Sequence, residues 1–411
     1  MIAIAHILYF IIPKFSTPDW KKIVKGGNFL KTVGIICEYN PLHAGHKKQI
    51  DTVRSLCGED TAVVCLMSGN FVQRGAPAII DKSLRAKAAL LNGADLVLEL
   101  PTEYALSSAE GFASGGVRIL GDFCDYLCFG AENPEQSDLM LTAAALLSDS
   151  FSELLRDALE TGVSFPAARQ AALEKMGLDG NLLATPNNIL AVEYCKAILT
   201  QDCGMRPLPI QREGSYHDTE ADQENPSATA IRALMLGDRY WKCYVPGEVV
   251  ELFEHATMHD ISAGERAVLS KLRTMTDAEF EALPYGAEGL WRKFMHACRS
   301  CATLEELIAA TKSKRYTHTR ITRMVMCAFL GLTEKDLSSP VPYTRVLALN
   351  DRGRAVLKSA RESGTFLNAG EHHDSDYCAR EYQIGDLYGL FALDTPEAPG
   401  AEAKRRIVYL K

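Results

Sequence analysis

From Thr32 onward the chain alternates short, mainly apolar runs with longer amphipathic patterns, and this alternation limits the possible folds more than any other feature. The runs are Val33–Cys37, Ala62–Met67, Asp95–Leu100, Asp125–Phe129 and Leu208–Arg212. Strands so short and so continuously apolar suit a parallel sheet covered on both faces, because a half-exposed strand would alternate apolar with polar residues. Between them lie helical patterns such as Lys82–Asn92 and Ser107–Leu120, with Gly93 and Gly121 as stops. Strand and helix in turn predict an α/β fold with a doubly wound parallel sheet.

Two stretches depart from this order. A helical insert is expected from about Ser137 to Ala197, with Asp149, Glu153, Asp157 and Glu160 on a solvated face. Beyond residue 240 helices dominate. Pro246 and Gly247 break the pattern, so a first domain over 32–240 is expected to give way near Trp241–Gly247 to a mainly α-helical C-terminal domain over 241–411. Over the last stretch, roughly Pro340 to Lys411, short strands and helices are expected to mix around Arg345–Leu349 and Leu387–Leu393. Residues 1–31 are read as a dispensable leader, disordered or an upstream start-site artefact. Their apolar stretch Met1–Ile12 is too short to span a bilayer and has neither the basic lead-in nor the cleavage site of a signal peptide.

The most informative segment is Gly34-Ile35-Ile36-Cys37-Glu38-Tyr39-Asn40-Pro41-Leu42-His43-Ala44-Gly45-His46. It reads as the first strand, a turn at Asn40-Pro41, and a helix beginning near His43. Ligands bind at this kind of strand end in a doubly wound sheet. The helix start supplies free N–H donors and partial positive charge for phosphate. Gly45 removes a side chain where a nucleotide approaches the backbone. His43 and His46, three apart, share one face and can donate hydrogen bonds to charge developing on an α-phosphate and departing pyrophosphate. Downstream, Pro226-Ser227-Ala228-Thr229-Ala230-Ile231-Arg232 has the form of a phosphate loop, with Ser227 as a helix cap and Arg232 within reach of a phosphate. Arg74, Asp81, Lys82 and Arg85 form a further polar group, either a phosphate or RNA contact or simply a helix start capped by Asp81.

These motifs resemble the tRNA(Met) cytidine acetate ligase family of the HxGH nucleotidyltransferase superfamily. The likeness rests on Glu38 to His46, on Met67-Ser68-Gly69-Asn70-Phe71-Val72-Gln73-Arg74-Gly75, and on Ala94-Asp95-Leu96-Val97-Leu98-Glu99-Leu100-Pro101. It continues in Phe129-Gly130-Ala131-Glu132, Pro186-Asn187-Asn188-Ile189-Leu190 and Tyr216-His217-Asp218. The resemblance implies a Rossmann-like catalytic domain and a cytoplasmic ligase that activates acetate with ATP as acetyl-adenylate. The acetyl group would then pass to N4 of the wobble cytidine of elongator tRNA(Met), giving N4-acetylcytidine. It also implies that ATP is bound by Ile36, Cys37, Glu38, Tyr39, Asn40, Pro41, Leu42, His43, Ala44, Gly45, His46, Lys47, Lys48 and Gln49. Gly130, Asn187 (rather than Asn188) and Arg212 add to this set, and His43 and His46 are the catalytic pair. Mg2+ is expected to accompany ATP without a dedicated carboxylate cage. No membrane and no protein partner are expected.

Charge bears on the RNA. The chain carries −8, which argues against an indiscriminate nucleic-acid coat but leaves room for a local basic face. Lys312–Arg323 holds five Lys or Arg and no acid, with Tyr316 among them for stacking. Arg345, Arg352, Arg354 and Lys358 add a second basic group. Either is an RNA face or a solvated positive surface. The twelve cysteines are scattered through apolar runs and read as buried, reduced thiols. Cys298 and Cys301 lack the second pair a zinc site needs. Two other readings stand beside the ligase. A small-metabolite adenylyltransferase would explain His43-Ala44-Gly45-His46 but not the basic C-terminal region. A non-catalytic RNA-binding protein would have no need of an intact motif.

Overall fold

The computed structural model describes residues 30–212, 227–237, 240–362 and 364–411. The leader up to residue 29 and the family-like Tyr216-His217-Asp218 lie outside them. In chain order come β1 (Thr32–Cys37), α1 (Ala44–Cys57), β2 (Ala62–Ser68) and a hairpin of β3 (Phe71–Val72) with β4 (Ala76–Pro77). Then follow α2 (Lys82–Leu91), β5 (Leu96–Leu100), α3 (Ala109–Leu120) and β6 (Tyr126–Ala131). The expected insert is helical, with α4 (Gln136–Leu146), α5 (Asp149–Glu160), α6 (Phe165–Lys175) and α7 (Pro186–Gln201), and leads into β7 (Arg206–Gln211) and α8 (Ala228–Leu236). The four acidic side chains of α5 are all exposed, as a solvated face should be.

Among the described residues the main sheet has eight strands. Five of them, in the order β5-β2-β1-β6-β7, pair in parallel. Alternate residues of β2 enter opposite layers: Ala62, Val64 and Leu66 pack with α3 and the insert, while Val63, Cys65 and Met67 pack on the α1 and α2 side. Each large aliphatic side chain so buried contributes roughly 1.5–3 kcal/mol, which is why these strands read as unbroken apolar runs. β7 begins two residues earlier than its apolar run because Pro207 and Pro209 sit in it. An edge strand with one unpaired side tolerates proline.

The C-terminal half departs from expectation. Helices α9 (Gly247–Glu254), α10 (Ile261–Thr274), α11 (Leu290–Ser300), α12 (Leu304–Thr311) and α13 (His318–Leu330) form the expected helical region, and α10–α13 pack around a second core that also takes in Phe71 and Leu106. The chain then returns to the first sheet. β8 (Thr344–Leu349) pairs antiparallel with β5, and after α14 (Asp351–Ala360) the strand β9 (Phe366–Asn368) pairs with β8. Helix α15 (Asp376–Tyr388) follows, and β10 (Val408–Tyr409) also pairs with β8. Trp241, Val245, Val249 and Phe253 pack into the core of the first sheet as well. A cut at residue 240 therefore passes through one continuous core, while α10–α13 share the second core with Ile384 and Tyr388 of α15 and with Phe391.

All twelve cysteines are free, and only Cys203, Cys243 and Cys301 escape burial. Among the described residues no helix is long and apolar enough to cross a membrane.

Candidate functional site

The strand order reverses between β1 and β6, so the chain leaves these two neighbours in opposite directions and opens a crevice above their C-terminal ends. A cleft of about 620 Å³ lies there. It brings together Ile36–Asn40, His43–His46, Lys48 and Gln49 with Gly130, Asn187 and Arg212, all from the expected set. Pro41, Leu42 and Lys47 do not line it. Pro41 and Leu42 are buried, and Lys47 pairs with Asp51 one turn along α1.

His43 is the N-cap of α1 rather than a residue of its first turn. Its Nδ1 accepts from the Gly45 amide at 3.1 Å, while the His43 amide donates to Nδ1 of His46 at 3.3 Å. This is a capping box in which imidazoles stand where a hydroxyl and a carboxylate usually do. With both Nδ1 atoms accepting, each neutral ring carries its proton on Nε2 and has that N–H left to donate. The rings lie 3.8 Å apart, centroid to centroid. Burial, and then the charges of Arg212 and Arg232, lower the His43 pKa to about 4. His46 is held well below its ordinary value by burial, then by His43 and Arg212. Both rings are therefore neutral donors at physiological pH. A Cβ on Gly45 would lie 3.0 Å from Cε1 of His43. The glycine thus makes room for the capping ring, a role its position in the motif does not announce.

Arg212, just past β7, donates from Nη1 to Oδ1 of Asn187 at 2.9 Å. Asn187 in turn donates from Nδ2 to Glu132 at 2.6 Å. Glu132 also accepts from Thr185 Oγ1 at 2.9 Å and from the Asn188 amide at 2.8 Å. Partial burial of this carboxylate raises its pKa, and the hydrogen bonds from Asn187, Thr185 and Asn188 outweigh that and hold it below the usual carboxylate value. Asn188 faces elsewhere, accepting from the Asn133 amide, so Asn187 is the member of the pair that lines the cleft. Glu132 is legible in the sequence only as a motif residue. Its partners lie 53 to 56 residues away, and no local pattern announces them.

The phosphate-loop segment also reaches the cleft. Ser227 caps α8 by accepting from the Ala230 amide at 3.2 Å. Arg232 donates to the Asn40 carbonyl at 2.7 Å and to Thr229 Oγ1 at 3.0 Å. One guanidinium thus braces the turn before His43 and lines the cavity.

The group Arg74, Asp81, Lys82 and Arg85 divides. Arg74 is exposed and lines the cleft. Asp81 caps α2 through the Ser83 amide and pairs with Arg405 at 2.8 Å. Lys82 is buried between Glu99 and Glu402, 2.7 Å from each. Arg85 is fully buried and donates to the carbonyls of Ile80, Glu38, Ser68 and Gly69, tying the ends of β1 and β2 together. The helix-start reading holds for the last three, and their charges are structural.

The basic stretches are likewise mixed. Tyr316 is not free to stack on a base, because it is buried with its hydroxyl donating to the Glu288 carbonyl at 2.9 Å. Arg345 is only 2% exposed and pairs with Glu381 at 2.7 Å, so it belongs to no surface. Lys312, Lys314 and Arg315 remain exposed, Arg315 paired with Glu288.

This cleft can hold a polyanion's phosphates with neutral imidazole donors and arginines at a helix start. Among the described residues no group of three or more His, Cys, Asp or Glu could hold a metal ion. The HIGH Nucleotidyl Transferase family model matches residues 30–398. A tRNA(Met) cytidine acetate ligase of Clostridium acetobutylicum is 36% identical over 93% of this chain and 100% of its own length. One from Clostridium novyi is 37% identical over 82% of this chain and 88% of its own. Crystal structures of Thermotoga maritima TmcAL superpose with TM-scores of 0.84 (apo) and 0.81 (bound with alpha-thio ATP), each at 27% identity over 93% of this chain and 100% of the other. The imidazole pair and the whole-length likeness agree, and the chain belongs to the tRNA(Met) cytidine acetate ligase family of HIGH nucleotidyl transferases.

Proposed function

We propose that the cleft activates acetate with ATP and delivers the acetyl group to N4 of the wobble cytidine of elongator tRNA(Met). The observation that carries this reading is the pair of neutral Nε2–H imidazoles beside Arg212 and Arg232 at the strand ends. In the first step an acetate oxygen attacks the α-phosphorus and the bond to the β,γ-diphosphate breaks. Negative charge then grows on the α-phosphate oxygens and on the departing pyrophosphate. Donors fixed before the reaction begins stabilise that charge without reorganising. Protonated imidazoles would bind ATP electrostatically in ground state and transition state alike, whereas neutral donors act through placement.

In the second step the exocyclic amine attacks the acetyl carbon, the bond to the adenylate oxygen breaks, and AMP leaves. Within Ile36–Gln49, ATP is assigned to the residues that line the cleft, 36–40, 43–46, 48 and 49, and further to Gly130, Asn187 and Arg212, with His43 and His46 catalytic. Mg2+ would enter on the phosphates and keep most of its water ligands. The sheet carries activation, and the exposed cations Lys312, Lys314 and Arg315 just before α13 face the tRNA in the cytoplasm.

Nucleoside mass spectrometry of elongator tRNA(Met), incubated with the protein, ATP and acetate, tests the whole reading. N4-acetylcytidine should appear only when both small substrates are present. An unmodified tRNA, together with no acetate-dependent pyrophosphate release, would refute it.

A further inference from the structure

The cleft is wider than the residues assigned to ATP. On the β6 and β7 side of the His43–His46 turn lie Gly130, Asn187 and Arg212, and on the β2 side lies the β3–β4 hairpin with Val72, Gln73, Arg74 and Pro77. The hairpin is held on several sides. The Gln73 amide donates to Oε1 of Glu38, at the end of β1, at 2.8 Å. The Arg74 carbonyl accepts from Thr322 Oγ1 at 2.6 Å, and Arg323 Nη1 reaches the Gln73 carbonyl at 3.5 Å. Gly75 has φ +71°, and a Cβ there would lie 2.3 Å from the backbone of Thr322. Only glycine lets α13 press so closely on the hairpin. The loop therefore joins the end of β1 to α13, the helix that follows the exposed cations of 312–315.

Within this braced loop, Nε2 of Gln73 is buried and has no hydrogen-bond partner among the described residues. A shielded donor left unpaired is costly, and because Gln73 itself lines the cleft, a turn of its side-chain amide toward the cavity brings that donor to a ligand that completes it. That ligand must offer an acceptor beside the Glu38 carboxylate, which already sits against the Gln73 backbone. Acetate and phosphate offer acceptors but bring negative charge against that carboxylate. Cytosine offers both halves: N3 and O2 accept, and the N4 amine donates, a donor that carboxylates are suited to read.

We infer that the hairpin side of the cleft is the nucleobase subsite, in which Gln73 donates to the N3–O2 edge of a cytosine from single-stranded RNA and the Glu38 carboxylate accepts from its N4 amine. This assignment rests on the reading of the cleft as an acetyl-adenylate site. As N4 bonds to the acetyl carbon and AMP departs with the electron pair of the broken C–O bond, the amine proton passes to Glu38. Gln73 is then a specificity-determining residue for the second step alone.

The test separates the steps. Hydroxylamine traps acetyl-adenylate as acetohydroxamate without tRNA, and radiolabelled acetate reports transfer to tRNA. Gln73→Met keeps the length of the side chain and removes the donor. It should form acetohydroxamate within about twofold of wild type while kcat/KM for tRNA falls on the order of 10-fold or more. Gln73→Glu, which sets an acceptor against the N3–O2 edge, should be worse than Gln73→Met in transfer and equal to it in trapping. Wild-type transfer by Gln73→Met overturns the assignment. So does a parallel fall in trapping with a raised KM for acetate, which would make Gln73 an acetate ligand. A wild-type protein that yields no acetohydroxamate would instead sink the acetyl-adenylate reading itself.

Discussion

Arg212 and Asn187 meet at 2.9 Å, Nη1 donating to Oδ1, and the amide of Asn187 is turned toward Arg212 because its other end is fixed on Glu132. Replacing that carboxylate by an amide should disturb the arginine without touching it. Glu132→Gln puts an NH2 group where three donors converge, and hydrogen bonds to a charged group are worth about 1.5–3 kcal/mol. The KM for ATP in acetate-dependent pyrophosphate release should rise roughly 10-fold or more, with a smaller change in kcat. An unchanged KM would mean that Asn187 holds its orientation without Glu132.

His43 and His46 should behave as placed donors. Either His→Ala change should slow acetyl-adenylate formation by about 10²-fold or more, the scale for losing one preorganised donor. His43→Ala also removes the cap of α1 and should cost about 0.5–2 kcal/mol in denaturant unfolding. Asparagine at 43 supplies an oxygen acceptor for the Gly45 amide, so His43→Asn should recover the stability and not the rate. If His43→Asn recovers both, the ring is only a cap.

The depressed imidazole pKa values make a prediction about pH with a definite sign. His43 titrates near about 4 in the folded protein and near about 6.5 in an unfolded chain. Above the upper value both states are neutral and the residue contributes no pH dependence. As pH falls through this window the unfolded chain takes up a proton that the folded one refuses, so stability declines. His46, shifted the same way, adds to the decline. The thermal midpoint of wild type should therefore fall more steeply between about pH 6.5 and about pH 4.5 than that of His43→Asn. Parallel curves would show that His43 is not held neutral.

Lys82 tests whether the C-terminal segment is part of the catalytic fold. Its ammonium lies 2.7 Å from both Glu99 and Glu402, and all three side chains are nearly inaccessible. Burial raises the Glu99 pKa to about 7 even with Lys82 opposing it. Lys82→Met would remove the cation between the two carboxylates, leaving Glu402 with Arg405 at 3.2 Å and Glu99 without its partner, and breaking a buried pair in this way costs about 3–5 kcal/mol. Urea unfolding should show a loss of that order. A loss under about 1 kcal/mol would mean that water enters the cluster and compensates.

How much of this was legible depended on the range of the interaction. The parallel strands could be read because burial on both faces writes itself into consecutive residues such as Val63-Val64-Cys65-Leu66. The His43–His46 site could be read because its chemistry is compressed into one helix start. Arg232 bracing Asn40 across 192 residues could not, nor could Lys82 meeting Glu402, since pairing partners leave no local period. A mix of short strands and helices was expected around Arg345–Leu349, but not that a strand there would pair antiparallel with β5 and complete the first sheet. Arg345 and Tyr316 misled for one reason. Charge and aromaticity describe a residue type, while burial beside Glu381 or beneath Glu288 decides its use.

That distinction changes which cations should be tested for RNA binding. In the run 312–323, Arg320 donates to the Tyr285 carbonyl at 2.7 Å and is half-buried, so Arg320→Ala should lower stability as well as any affinity. Lys312 and Lys314 are exposed, the first at the C-cap of α12 and the second in the loop that leads into α13. Lys312→Gln and Lys314→Gln together should weaken tRNA binding uniformly across sequences and flatten its salt dependence. The log–log slope should drop by about 0.7 to 0.9 for each phosphate no longer neutralised. Acetohydroxamate formation from ATP and acetate should stay at the wild-type rate, because neither lysine lines the cleft and the field of an exposed charge is screened over a Debye length of about 8 Å at physiological salt. Transfer to tRNA should then fall at low tRNA concentration and recover at saturation, the pattern of weakened binding with intact chemistry. An unchanged slope would assign these lysines to solvent and move the RNA-binding role to Arg74 at the cleft itself.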